Sequence, residues 1–485
     1  MTKPNILIVM TDHQRGDTVL SQHACITPNL DRFVKESISF TNTYCPSPHC
    51  CPSRATFFTG LYPSRHGVWN NLLNGMALSQ GLKPGVRLWS EDLKEAGYDL
   101  HYCGKWHVSA EETPKDRGWQ EYFVSATKGT LHGVRWDAYR RLSANGEPSQ
   151  RGEGQILRPG YGPYQLYGVR PPEGDPHDEQ VTADALQVLA NLKDSTRPWC
   201  LYVGLIGPHD PYVVPQRFLD LYHLEDIPLP ASYADEMSDK PRVYQRMREQ
   251  VFGQLSAQEV REGIRHYLAY CTYLDDLFGK VLIALEQTGQ ADDTLVLYCS
   301  DHGDYCGEHG LFAKGIPCFK GAYHVPAIIR WRNGLKAAGR REPALVSLAD
   351  FAPTFLEAAG IPLQRHFTGK SLLPFLEGVK PENWREEIFT QCNGVELYYT
   401  QRSVMTAEYK YVFNGFDQDE LYDLRIDPFE MINRSNDPAY NSVKRDLCGR
   451  LWRFALQEDD QVINPYITVG LAPFGPAEAF AASPS

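Results

Sequence analysis

Four short polar clusters follow apolar, β-forming runs along the chain: Asp12-His13, Lys105-Trp106-His107, His209-Asp210 and Asp301-His302. If the runs are parallel strands of one sheet, their C-terminal ends open on one edge, where α/β proteins bind ligands. A single acidic residue at a strand end is ordinarily a turn former; four clusters together point to a site. Asp12, Asp301 and His302 offer two hard oxygen ligands and an imidazole, a set suited to one divalent cation such as Ca²⁺, Mg²⁺ or Mn²⁺. A zinc site built from Cys45, His49, Cys50 and Cys51 lacks a second ligand pair and is interrupted by Pro46 and Pro48. The i, i+2 spacing of Lys105 and His107 sets both on one face, with Trp106 turned away. His66, His101 and Trp69 read as structural.

Residues 49–60 read as a loop feeding a short helix that ends at Gly60. Cys50 then lies at a helix N-terminus, where the dipole favours an anion and a thiolate, and Arg54 points the same way one turn on. These residues alone suggest an anion-binding nucleophilic cysteine. The loop of a cysteine-dependent phosphatase, however, needs a longer spacing than the three residues between Cys50 and Arg54.

The elements that must position these groups alternate between strand-like and helix-like stretches, the pattern of a largely parallel sheet flanked by helices. Strands are expected at 5–10, 98–103, 199–204, 294–299 and 327–331. Thr27-Pro28 reads as an N-cap followed by proline at the first helical position, and a second helix is expected at 88–96. Ser256-Ala257-Gln258-Glu259 is a capping box opening one long helix. Residues 123–175, rich in Gly, Pro, Arg and Tyr, read as surface loops. The predicted fold is α/β, a large mostly parallel sheet with helices over residues 1–376, then a small α+β domain with an antiparallel sheet over 377–460 and an extended tail over 461–485.

Among 485 residues, 48 Lys+Arg against 60 Asp+Glu leave a net charge of −12, which argues against nucleic-acid binding. With 42% hydrophobic and 22% charged residues the chain can bury a large core. No apolar run approaches the ~20 residues needed to span a bilayer, and the N-terminus lacks the pattern of a secretion signal. A cytoplasmic protein is expected, its 12 cysteines free thiols.

Cys50-x-Pro52-Ser53-Arg54 followed by Thr59-Gly60 resembles the signature of the formylglycine-dependent sulfatases of the alkaline phosphatase superfamily. The resemblance extends over nearly the whole chain: Asp12, Gly104-Lys105-Trp106-His107, Pro208-His209, Ser300-Asp301-His302-Gly303, Lys314-Gly315, and Glu420-Leu421-Tyr422-Asp423-Leu424 with Asp427-Pro428. It implies that Cys50 is oxidised to formylglycine by a generating enzyme. It also implies that one divalent cation, Ca²⁺ before Mn²⁺ or Mg²⁺, is held by Asp12, Asp301, His302 and the modified Cys50. One hydroxyl of the hydrated aldehyde would attack sulfur and expel the alcohol; the second would lose its proton and eject sulfate as the aldehyde re-forms. Arg54 would hold the hydrate, Lys105 and Lys314 the sulfate oxygens, His209 would protonate the leaving oxygen and His107 would act as base in the second step. Thr11 stands where many members carry a first metal-binding Asp, so Gln14 or His13 would assist.

Residues 307–326 are similar to the iduronate-sulfatase branch, which implies a sugar. The expected substrate is a small sulfated saccharide carrying a uronate or similar acidic sugar. Asp210, Arg135 and Trp136 are expected to bind it, Arg135 and Trp136 within a basic and aromatic loop shared with Lys128, His132, Arg140 and Arg141. Two rival readings stand: a phosphonate or phosphate ester hydrolase of the same superfamily, and a binding protein for anionic sugars that never acquires the aldehyde. The apolar tail around Tyr466 and Phe474 is expected to dock on a neighbouring subunit, making a homo-oligomer, or over the pocket rim.

Overall fold

A computed structural model describes residues 3–19, 24–73, 77–127, 151–158, 162–172, 174–336, 338–394 and 397–480. Its centre is a nine-stranded sheet. The strands that matter for the site are β1 (Asn5–Thr11), β2 (Ile38–Tyr44), β3 (Asp99–Lys105), β4 (Gln120–Ser125), β5 (Trp199–Gly204) and β6 (Thr294–Ser300). β6, β1, β5, β3 and β4 lie side by side in that order and run parallel. No residue of β5 or β6 is exposed, as expected of strands covered by helices on both faces. The expected strands fall within a residue or two of the observed ones.

The sheet turns antiparallel beyond β6. Residues 301–323 remain at the edge where β6 ends, so the next strands, β7 (His324–Val325) and β8 (Ala327–Arg330), run back the other way. β8 joins β6 to β2, and β9 (Arg340–Ser347) pairs parallel with β2 on its far side.

Helix α1 (Pro28–Lys35) starts with proline as expected, but Thr27 makes no side-chain cap bond. The cap comes from the long helix α4 (Ala257–Gln287). Its Asp275 accepts from the Asn29 and Leu30 amides at 3.0 and 2.7 Å. α4 itself opens on the Ser256/Glu259 capping box. Among the described residues of the stretch 123–175, expected as surface loops, a hairpin pairs Gln155–Arg158 with Gly162–Gln165; α3 (His177–Leu192) comes after that stretch. Its buried Val181, Ala185, Val188 and Leu192 carry the helical spacing that would have revealed it.

A four-stranded antiparallel sheet spans Glu387–Gly394, Tyr398–Thr406, Tyr409–Asn414 and Glu420–Asp423. Helix α5 (Asn441–Gln457) closes it, with Trp452 fully buried against Phe413. The segment expected as an extended tail instead forms a short helix, Pro465–Gly470, and folds back on α5 of its own chain. The Trp452 indole donates to the Phe474 carbonyl at 3.0 Å. All 12 cysteines are free and buried. Among the described residues no helix is long and apolar enough to cross a membrane.

Candidate functional site

Because β6, β1, β5 and β3 are parallel neighbours, their ends deliver Asp301-His302, Asp12, His209 and Lys105 to one edge. The two final positions of β1 and β6 are in register, Thr11 opposite Ser300, so Asp12 and Asp301 emerge together. At β3 the turn depends on Gly104, whose φ is +97°; a Cβ there would run into the Gly204 carbonyl of β5. Lys105 beyond it reaches Asp12, while Trp106 turns into an aromatic cluster with Phe58 and Tyr102.

Helix α2 (Cys50–Thr59) points its N-terminus at this edge and stops at Gly60, φ +73°. Cys50 Sγ lies 3.3 Å from His302 Nε2 and 3.6 Å from Asp12 Oδ1. His302 Nε2 is 3.3 Å from Asp12 Oδ1 and 3.8 Å from Asp301 Oδ1. One ligand atom from each of Asp12, Cys50, Asp301 and His302 falls within 4.8 Å of the others, all buried. Arg54 runs beneath them: Nε donates to Asp301 Oδ2 at 2.7 Å, and Nη1 donates to the Lys105 carbonyl and the Tyr202 hydroxyl, each at 3.0 Å.

Burial alone would raise the Asp12 carboxyl, but the Lys105 ammonium and a hydrogen bond from His302 hold it well below the usual range. The Cys50 thiol is likewise pushed up by burial and by Asp12, yet Lys105, Lys314 and His302 bring it well below its ordinary value. Burial opposes charge on His302, but Asp301 and the Cys50 thiolate raise it to about 10. Two converging carboxylates, an imidazole and the Cys50 position form a donor set that fits one divalent cation, whose charge would take over the role of that imidazolium proton.

A second group faces the first. Lys314 contacts His13 Nε2 and lies 3.1 Å from His209 Nε2. The rings of His13 and His209 are 3.9 Å apart, and His13 Nδ1 meets Asp304 at 2.9 Å. Asp304 also accepts from Tyr212 at 2.8 Å. The loop carrying His209 is tied to α3, for Asp178 accepts from the Ile206 and Gly207 amides at 2.8 and 2.9 Å. Asp210 accepts a hydrogen bond from Tyr164 and lies 3.6 Å from His13. His107, at φ +56°, is driven by burial to a pKa of about 4 despite a hydrogen bond to Cys50, which leaves its imidazole neutral. A cavity of about 360 Å³ adjoins His209 and Asp210, lined also by Arg170, Asp178, Tyr270 and Tyr273.

Cys50, Arg54, Lys105, His107, His209, Lys314, Asp12, Asp301, His302 and Asp210 therefore gather at one edge. Arg135 and Trp136, with the rest of their basic loop, lie outside the described residues. Gln14 is taken up in packing: its Oε1 accepts from Thr11 and Tyr298, and its Nε2 donates to Thr18. Asp304, Tyr202 and Tyr164 had not been singled out. Only Asp304 left a signal, three residues after Asp301 in the same polar run.

Among known proteins, the choline-sulfatase of Rhizobium meliloti is 31% identical over 449 residues, covering 90% of this chain and 83% of its own length. The N-acetylglucosamine-6-O-sulfatase of Bacteroides thetaiotaomicron is 26% identical, with coverages of 92% and 85%. The crystal structure of the phosphonate monoester hydrolase of Agrobacterium radiobacter superposes with a TM-score of 0.77 at 25% identity, over 94% of this chain and 96% of that one. The C-terminal family described as N-sulphoglucosamine sulphohydrolase matches residues 307–457. The family described as Sulfatase matches residues 4–361. That span takes in every strand end of the edge and the Cys50 helix, and the chain belongs to the sulfatase family, whose members hydrolyse sulfuric esters.

Proposed function

We propose that the chain removes sulfate from a small sulfated saccharide with Cys50, as formylglycine, at the centre of the reaction. The observation that carries this reading is the position of Cys50 between a carboxylate–imidazole cluster on one side and Lys105, Lys314 and His209 on the other. Formylglycine supplies, as its hydrate, the nucleophilic hydroxyl, and a divalent cation held by Asp12, Asp301 and His302, Ca²⁺ in our reading, supplies charge that favours its ionisation. Arg54 screens the two carboxylates and holds the nucleophile's position rigid. Lys105 and Lys314 bind sulfate oxygens and balance charge developing on them. His209 turns Nδ1 to the Asp210 carbonyl at 2.6 Å, which aims Nε2 at the leaving oxygen, with the Lys314 ammonium beside it. His107, kept neutral, takes the proton in the second step.

The saccharide is supported by likeness to the N-acetylglucosamine-6-O-sulfatase, and a cavity of about 360 Å³ beside His209 suits a small leaving alcohol. Likeness to a phosphonate monoester hydrolase supports a weak second activity on phosphonate esters. The test has two arms. Peptide mass spectrometry should find formylglycine at Cys50 in active protein. Values of kcat/KM should then rank a sulfated monosaccharide above choline sulfate, an aryl sulfate and an aryl phosphonate. Unmodified Cys50 in active enzyme would remove the nucleophile assignment. A preference for choline sulfate or the phosphonate would replace the saccharide.

A further inference from the structure

β5 ends at Gly204, and the residues after it carry His209 across the open end of the sheet. The Leu205 amide still pairs with the Met10 carbonyl of β1 at 2.9 Å. Beyond it the Ile206 and Gly207 amides have left the strand, and a backbone amide inside a protein needs an acceptor. Both meet one carboxylate. Asp178, on the first turn of α3, accepts from Ile206 through Oδ1 at 2.8 Å and from Gly207 through Oδ2 at 2.9 Å. The turn is closed from its other sides as well: the His209 amide donates back to the Ile206 carbonyl at 3.1 Å, and the Gly207 carbonyl accepts from the Asp12 amide at 3.0 Å. The approach is tight, for a Cβ on Gly207 would stand 3.0 Å from Asp178 Oδ2 and 2.4 Å from the Tyr270 ring. Asp178 is itself held. It is 4% exposed, and Oδ1 also meets His177 Nδ1 at 3.0 Å, while His177 Nε2 meets the Ser125 hydroxyl at the end of β4 at 2.8 Å. The His209 side chain is 30% exposed, and its Nδ1 turns to the carbonyl of the next residue in the chain. The place of its ring therefore depends on the backbone of the turn beneath it.

We infer that Asp178 is a positioning residue for the reaction: by gathering the Ile206 and Gly207 amides on one carboxylate, it sets the turn from which His209 reaches the leaving oxygen. The inference rests on the reading of His209 as the acid that protonates that oxygen. Asp178 acts through His209 and not on the reacting atoms, because both its oxygens are taken by the two amides and His177. A carboxylate suits this task, since each oxygen accepts and neither donates. An asparagine of the same shape accepts on one side only and turns an NH₂ donor toward the second amide. The turn must then move, and a misplacement of about 1 Å from such a remote change can cost on the order of 10²-fold in rate.

The experiment measures kcat, KM and Tm for wild type, Asp178→Asn, His209→Ala and the double variant. One substrate is 4-nitrophenyl sulfate, whose leaving oxygen needs little protonation. The other is N-acetylglucosamine 6-sulfate or choline sulfate, whichever is turned over faster, both with a basic alkyl leaving oxygen. Asp178→Asn should lower kcat on the alkyl sulfate about 10–100-fold and on 4-nitrophenyl sulfate by less than about threefold, the pattern of a misplaced acid. Added to His209→Ala, it should change kcat on the alkyl sulfate by less than about twofold, since a residue that acts through His209 then has nothing to act through. Equal losses on both substrates with a lowered Tm would overturn the inference in favour of a purely structural carboxylate. A raised KM with kcat unchanged would overturn it in favour of a substrate contact, and losses that multiply in the double variant would show that Asp178 does not work through His209. Equal losses on both substrates from His209→Ala alone would overturn the acid reading, and this inference with it. Should Asp178→Asn fail to fold, Asp178→Glu carries the same test: the charge is kept but displaced by one methylene, and the same dependence on the leaving group is expected.

Discussion

Arg54 is a buried cation between two carboxylates, bonded to Asp301 at 2.7 Å and 3.8 Å from Asp12. Removing it leaves Asp301 charged and dry, and breaking a buried pair in this way costs about 3–5 kcal/mol. Arg54→Ala should therefore show that loss in chemical denaturation as well as losing turnover. Arg54→Lys should not recover it, because one ammonium cannot reach Asp301, the Lys105 carbonyl and the Tyr202 hydroxyl together. His209 is argued to give a proton to the leaving oxygen, a contribution worth roughly 10²–10⁴-fold in rate when the leaving group is basic. His209→Ala should lower kcat for an alkyl or sugar sulfate by that order and for 4-nitrophenyl sulfate far less. Equal losses on both substrates would rule out the acid role.

At the scale of elements, α1 is capped by a residue some 246 positions away, Asp275 on α4. Burial raises the Asp275 carboxyl to about 6, against the hydrogen bonds from Asn29 and Leu30 and above the ~3.9 of an unfolded chain. The folded state then holds the proton more tightly than the unfolded one. Its contribution to stability is largest below pH ~4, falls as pH rises from ~4 to ~6, and is level above that, a change of about 3 kcal/mol. The difference in unfolding free energy between wild type and Asp275→Ala should narrow by that amount between pH 4 and pH 7. A difference independent of pH would show that the carboxyl is not buried as described.

For the whole molecule, the last described segment acts as a cover. Phe474 lies under Lys444, with the ammonium 4.7 Å from its ring centre, and accepts from Trp452; Glu478 pairs with Arg445 at 2.6 Å. Ending the chain after Asp460 uncovers Trp452 and orphans its indole N–H. A loss on the order of 2 kcal/mol is expected from the apolar area exposed, read as a lower Tm with kcat unchanged. An unaltered Tm would mean that the segment does not rest on α5.

Much of the site was legible before any fold was known, because its chemistry is written in short local patterns. A β-forming run followed by Asp12, by Lys105 and His107, by His209 or by Asp301-His302 reports a strand end, and Cys50-x-Pro52-Ser53-Arg54 reports a helix start with a cysteine at its first position. Periodicity and caps are interactions within a few residues, so composition and spacing carry them. What pairs with what across the chain is another matter. Lys314 meets His13 from 301 positions away. The Asp304–His13 pair, the Asp275 cap on α1, the antiparallel return of β8 and the tail folded on α5 all depend on which surfaces are left to cover each other once the sheet has formed. Only the tertiary structure decides them. A buried polar group takes whatever partner the packing brings within hydrogen-bond reach, and local sequence carries no record of that distance.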